Sequence, residues 1–156
     1  MDFTQIARDV LETEAAELRG AASRIDSTWN EIINLIESTN GKLVIMGVGK
    51  SGLVGSKMAA TFASTGTPSF FIHPTEAMHG DLGMISKGDI VLAISNSGES
   101  EELTALLPHI KRFGITIVGM TARKTSTLAS YSDRLIDVSI TKRPALSISH
   151  RPVRQH

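Results

Sequence analysis

The chain predicts a doubly wound, three-layer αβα sandwich built on a five-stranded parallel sheet, with helices at its N-terminus. Three observations carry that expectation. Apolar positions from Phe3 to about Glu37 recur at helical spacing, and beyond Asn40-Gly41 short apolar runs alternate with helical segments. Two small-residue turns, Gly47-Val48-Gly49-Lys50-Ser51-Gly52 and Ser95-Asn96-Ser97-Gly98-Glu99-Ser100, each stand between an apolar run and a helical segment. Strands alternating with helices imply parallel pairing through right-handed crossovers.

Taken in order, Phe3, Ile6, Ala7, Val10 and Leu11, then Ile25, Trp29, Ile32, Ile33 and Ile36, predict two amphipathic helices with Gly20 as the break between them. Asn40-Gly41 is a turn pair. Leu43 to Met46 is the first strand, followed by a helix from Ser51 to about Ser64 that should bury Leu53, Val54, Met58, Ala59 and Phe62. Ser69 to Ile72 is the second strand, and His73 to Gly83, with Pro74 and Gly80, a loop or short helical turn. Asp89 to Ile94, Ile115 to Met120 and Leu135 to Ile140 complete the strands, with a helix over Glu101 to Phe113 and a short one over Ser126 to Ser130. Met46, Met58, Met84 and Met120 read as core fillers.

With 41% apolar residues in 156, the expectation is one globular domain: N-terminal helices over 1–40, an α/β core over 41–141 and a tail over 142–156. Sixteen basic residues balance sixteen acidic ones, which argues against a nucleic-acid partner. Cysteine is absent, which excludes disulfides and thiolate metal sites. Met1-Asp2-Phe3-Thr4 carries neither the basic nor the apolar region of a secretory signal, and no apolar run is long enough to span a bilayer. The expectation is a cytoplasmic protein with no membrane partner.

An apolar strand that ends in glycines and hydroxyls and then starts a helix aims unpaired backbone N–H groups at one spot, which favours an anion. Two such turns suggest a phosphate held from both sides. Gly47, Gly49 and Gly52 also fit G-x-G-x-x-G, and Gly49-Lys50-Ser51 has the look of a P-loop. A P-loop needs glycine where this chain has Val44, and a dinucleotide site wants an acid near the end of the second strand, where His73-Pro74 stands. In the second turn Ser97 or Ser100 alone would be an ordinary helix cap; the whole run Ser95-Asn96-Ser97-Gly98 is more than capping requires. Lys50 read alone is a solvated charge beside a turn, Glu102 an ordinary first-turn acid, and His79 as readily structural as chemical. His73, Glu76, His79 and Asp81 could form a metal cluster, but nothing in their spacing fixes a geometry, and no metal is expected.

The strings GVGKSG at 47–52, AATFASTGTPSFFIHPTEAMHGDLGMI at 59–85 and AISNSGESEEL at 93–103 resemble the sugar isomerase (SIS) family over about Lys42 to Thr141. The resemblance implies the SIS fold and an aldose–ketose isomerase that interconverts D-ribulose 5-phosphate and D-arabinose 5-phosphate, feeding the eight-carbon sugar acid of lipopolysaccharide or capsule. It implies a phosphate cradle at Ser51, Ser95, Ser97 and Ser100, with Gly47, Gly49 and Gly98 shaping the turns, and catalytic roles for Lys50, His79 and Glu102. The chemistry suits these types, because interconversion through a cis-enediol needs a base to move a proton between C1 and C2 and polar groups to stabilise charge on oxygen. On this resemblance Glu102 is the preferred base, Lys50 would polarise the carbonyl or balance the enediolate, and His79 would open the ring or shuttle protons between oxygens. No cofactor is required. The resemblance further implies a homodimer or homotetramer, with the apolar N-terminal helices suited to packing between subunits.

Family members continue after the fifth strand with a Cys-Pro-Leu stretch, a long helix, a His-Pro-Gly-Gly string and paired CBS domains. Here Lys142 is followed by Arg143-Pro144-Ala145-Leu146-Ser147-Ile148-Ser149-His150-Arg151-Pro152-Val153-Arg154-Gln155-His156. The expectation is a truncated or frame-shifted product, with His150 a candidate substitute for the missing histidine. Three readings stay open at this point: the isomerase, a catalytically impaired phosphosugar-binding module, and a nicotinamide enzyme, which an NAD titration would separate.

Overall fold

The computed structural model describes residues 2–142, so Arg143 to His156, including His150, lie outside the described residues. The described residues divide into two compact units: one holds the first helix together with Ile140 to Lys142, the other spans Ile25 to Ser139.

In the first unit, α1 (Phe3–Ser23) is capped by Asp2, whose carboxylate accepts from the N–H groups of Thr4 and Gln5. Gly20 does not break it. Its carbonyl accepts from the Ser23 hydroxyl at 2.6 Å, and the helix runs to Ser23; one glycine near a helix end costs only about 1 kcal/mol against alanine. The Glu17 carboxylate accepts from the Thr141 hydroxyl, the Thr141 N–H and the Lys142 N–H at 2.6, 3.0 and 2.7 Å. Those bonds, the Thr141 hydroxyl foremost, hold its carboxyl below the ordinary carboxylate value.

The second unit is the sandwich. Its five strands are β1 (Leu43–Gly47), β2 (Ser69–Phe71), β3 (Ile90–Ile94), β4 (Thr116–Thr121) and β5 (Arg134–Asp137), all parallel in the order β2-β1-β3-β4-β5. Each central strand is buried on both faces, so its residues alternate between two cores. Leu43, Ile45, Ile90, Leu92, Ile94, Val118 and Ile136 face α2 (Thr28–Ser38) and α3 (Lys50–Ser64). Val44, Met46, Val91, Ala93 and Ile117 face the opposite layer of α4 (Pro74–Met78), α5 (Glu101–Thr104), α6 (Leu107–Arg112) and α7 (Thr127–Tyr131), which supplies Ala77, Leu103, Leu106, Leu107, Ile110 and Leu128.

Two helices differ from their predicted form. The single helix expected over Glu101 to Phe113 is two, α5 and α6, because Pro108 lacks an N–H for the Thr104 carbonyl and its ring crowds that carbonyl. In α3 the expected inward face is met in part: Ala59 is buried and Met58 and Phe62 pack against the core, but Leu53 and Val54 do not. Gly52, Gly55 and Ala59 are buried against the sheet, whereas Leu53 and Val54 are 75% and 55% exposed. A Cβ on Gly55 would stand 3.0 Å from Ile45 Cγ2 and 3.3 Å from Phe71 Cε2. Small residues let the helix settle on the strands, and that close seating fixes its rotation. Gly55→Leu is therefore expected to destabilise the chain by about 1–3 kcal/mol in chemical denaturation, with Leu53→Ser near neutral in the same measurement. Met84, at the end of a 3₁₀ turn over Asp81–Met84, is 52% exposed and so is not a core filler; Met46 is.

Asp133 fastens the far side of the sheet. Its carboxylate accepts from the Ile117 N–H at 2.8 Å and from Lys111 Nζ at 2.5 Å, and its own N–H donates to the Ile117 carbonyl at 2.8 Å. Partial burial alone would raise its pKa, but the Lys111 and Ile117 hydrogen bonds together with the Lys111 and Arg134 charges hold it below the unperturbed 3.8. A carboxylate depressed in the folded chain adds stability that is complete above the unfolded value and is lost as pH falls through the folded one. The melting-temperature gap between the native chain and Asp133→Asn is expected at pH 7 and should narrow as the pH falls below about 4; a gap that does not narrow on acidification would count against this account.

Candidate active site

The sheet grows in opposite directions from β1: β2 lies on one side and β3, β4 and β5 on the other. In such a sheet the crevice beyond the carboxyl ends of the two strands at the reversal is where ligands bind. Those strands are β1 and β3, paired from Leu43 with Ile90 to Gly47 with Ile94. The two small-residue turns leave from Gly47 and Ile94 and hence start side by side. Between them lies a cleft of about 190 Å³ lined by Lys50, Ser51, Val54, Ile94, Asn96, Met120 and Val138. It pairs an ammonium, a hydroxyl and a carboxamide with an apolar wall.

The first turn is compact because two glycines meet in it. A Cβ on Gly47 would come within 2.9 Å of the Ser51 backbone, and one on Gly52 within 2.8 Å of the Gly47 carbonyl oxygen. This lets β1 run directly into α3, with Gly49 at the N-cap and Lys50 and Ser51 in the first turn. The Gly52 N–H donates to the Val48 carbonyl at 3.4 Å, and Lys50 and Ser51 line the cleft at a helix start of the kind that favours an anion.

The second turn is held by hydrogen bonds, many of them to the segment after β4. Ser95 is buried, and its hydroxyl accepts from the Gly98 N–H at 3.0 Å. The Ser97 hydroxyl accepts from the Glu99 N–H at 3.1 Å, and Ser100 Oγ donates to Glu102 Oε2 at 3.3 Å. Ser100 stands at the N-cap of α5 without a side-chain capping bond, so its hydroxyl is committed to Glu102 rather than to a cap. The Asn96 carbonyl accepts from the Ala122 N–H at 3.0 Å and from Thr121 Oγ1 at 3.2 Å, and the Gly98 carbonyl from the Leu128 N–H at 3.0 Å.

Lys50 and Ser51 therefore share one cleft with the second turn. Ser97 and Glu102 are exposed on that turn and the helix it starts, and Ser95 lies beneath it. His79 is not among the lining residues. It is exposed at the C-terminal end of α4, a helix that packs against α5. Its neighbour His73 has a local task, since Nδ1 accepts from the Thr75 N–H at 3.1 Å and caps α4. Sequence reasoning missed Asn96, Met120 and Val138 as lining residues and placed Val54 in the core. Asn96 was signalled by its place inside the serine run; Met120 and Val138 carry no local signal, because only strand order brings them to the cleft. No helix among the described residues is long and apolar enough to cross a membrane.

Comparison with known proteins agrees with this geometry. The SIS domain profile matches residues 35–150. The chain is 49% identical over 142 residues to the probable arabinose 5-phosphate isomerase of Haemophilus influenzae, covering 91% of this chain and 42% of that protein. It is 48% identical over 141 residues to arabinose 5-phosphate isomerase KdsD of Escherichia coli K12, covering 90% and 43%. The chain thus spans less than half the length of these curated relatives. Among solved structures, an Escherichia coli CFT073 protein in complex with arabinose 5-phosphate superposes with a TM-score of 0.80 at 42% identity, over 94% of this chain and 79% of that one. With the profile matched across most of the chain and the switch-point cleft in place, the chain belongs to the SIS family.

Proposed function

We propose that the chain is an aldose–ketose isomerase that interconverts D-ribulose 5-phosphate and D-arabinose 5-phosphate through a cis-enediol, without metal or cofactor. The observation that carries this reading is the cleft at the reversal of strand order, where Lys50 and Ser51 of one turn face Asn96 of the other. The relatives named for this activity and the neighbour holding arabinose 5-phosphate support the substrate class.

In this reading Ser51 and Ser97 offer hydroxyls to the phosphate, joined by the first-turn N–H groups of α3, while Ser100, which the resemblance places in the same cradle, spends its one proton on Glu102. Ser95 accepts the Gly98 N–H through its oxygen and keeps its own proton for donation. Glu102 takes the proton from one carbon of the C1–C2 pair and returns it to the other, its carboxylate oriented by Ser100. Lys50 offsets the negative charge that develops on the enediolate oxygen. His79 assists ring opening or moves protons between the two oxygens. The resemblance extends the proposal to a cytoplasmic homodimer or homotetramer that supplies the eight-carbon sugar acid of lipopolysaccharide or capsule.

The test is a coupled assay with both pentose phosphates beside a calorimetric titration with arabinose 5-phosphate. Turnover in both directions, with no heat on adding NAD, is expected. Binding without turnover would reduce the chain to a phosphosugar-binding module, and failure to bind any phosphate ester would overturn the proposal.

A further inference from the structure

Glu99 sits inside the second turn, yet its side chain is spent elsewhere. Oε1 accepts from the Thr127 N–H at 2.8 Å and Oε2 from Thr127 Oγ1 at 2.7 Å, so both carboxylate oxygens are tied to the first residue of α7. These two bonds span 28 residues of sequence and add to the Leu128 N–H bond that already ties the turn to α7 at the Gly98 carbonyl. Both bonds are exposed to solvent, but the backbone beside them at Gly98 is tightly packed. A Cβ on Gly98 would stand 2.1 Å from Ser126 Oγ, and the Gly98 carbonyl accepts from the Leu128 N–H. The Thr127 bonds, the hydroxyl first, also hold the Glu99 carboxyl below its ordinary value, so it is an anion at neutral pH.

We infer that Glu99 is a positioning residue, which clamps the second turn to the start of α7 and keeps its own negative charge fastened to Thr127 and away from the substrate phosphate. The inference rests on the phosphate-gripping role proposed for that turn. Its physical basis is that Gly98 and Ser100 flank Glu99 directly in the chain, with Ser97 one position further. Fixing one side chain to α7 restricts the backbone on both sides, which pre-organises the hydroxyls and N–H groups before ligand arrives. Thr127 supplies a matched pair of donors, its N–H and its hydroxyl. Glutamine can retain the arrangement, because its carbonyl oxygen accepts from the Thr127 N–H and its amide donates to the Thr127 oxygen.

The experiment compares the native chain with Glu99→Ala, Glu99→Gln and Thr127→Val by titration with arabinose 5-phosphate and by amide hydrogen exchange. Glu99→Ala is expected to weaken binding roughly tenfold and to speed exchange at residues 97–100 while the sheet amides keep their protection. Glu99→Gln should stay within about threefold of the native affinity, and Thr127→Val should fall between the two. In the turnover assay the loss should lie in KM with kcat nearly unchanged, which a general loss of stability would not produce. A Glu99→Ala chain that binds and exchanges like the native one would overturn the clamp while leaving the proposed function standing. Equal losses in Glu99→Gln and Glu99→Ala would overturn it too, by making charge rather than attachment the decisive property. A native chain that binds neither arabinose 5-phosphate nor inorganic phosphate would overturn the proposed function and the clamp together.

Discussion

Gly98→Ala is expected to dismantle the second turn, with a stability loss of about 2–5 kcal/mol from backbone strain and overpacking combined and no measurable binding of arabinose 5-phosphate. Gly98 has φ of +70°, a region that L side chains rarely occupy. The added methyl would stand 2.1 Å from Ser126 Oγ, 2.3 Å from Ser126 Cβ and 3.0 Å from Thr121 Oγ1. Serine could rotate its hydroxyl away, but its Cβ cannot move without shifting the start of α7. The Leu128 and Ala122 bonds to this turn would then be lost as well. Chemical denaturation and calorimetry on the full chain measure both effects. The double variant Gly98→Ala with Ser126→Gly should regain part of the stability by removing the clash and none of the part due to φ. Recovery to the native value would show that the backbone conformation carries no strain.

Glu102→Gln is expected to lower kcat by roughly 10² to 10⁴ while leaving affinity for arabinose 5-phosphate within a few-fold of native. Glutamine keeps the shape and can still accept from Ser100 Oγ, but it cannot take a proton from carbon. Lys50→Met should also cut kcat, and in addition weaken affinity, because a cation lining the cleft attracts the phosphate in the ground state as well as the enediolate. The split between the two variants is the informative result. A Glu102→Gln chain with native kcat would remove Glu102 as the base and turn attention to His79.

How much of this was legible in the sequence varies with the range of the interaction responsible. The strands were readable because each is a run of apolar residues bounded by turn residues, and parallel pairing followed from the intervening helices. The two turns stood out because glycine and serine are chosen there for local reasons, such as the meeting of Gly47 with Gly52 and the positive φ of Gly98. In α3 the expectation held for Met58, Ala59 and Phe62 and failed for Leu53 and Val54, because periodicity ranks residues by apolar size. The sheet instead selected the Gly52-Gly55-Ala59 face for its lack of bulk, which left Val54 free to line the cleft. The split between α5 and α6 was within reach, since Pro108 carries the reason in its own ring.

By itself the sequence determined the alternation of strands and helices, the shape of the two turns and the residue types able to grip a phosphate and move a proton. These depend on covalent chemistry and on neighbours a few positions apart, so they survive without knowledge of the fold. Only the tertiary structure decided that the turns adjoin, that Met120 and Val138 wall the cleft, and that Glu99 is anchored to Thr127. The reason is strand order: pairing β1 with β3 rather than with some other strand is set by burial summed over both faces of the sheet. No single segment contains that sum.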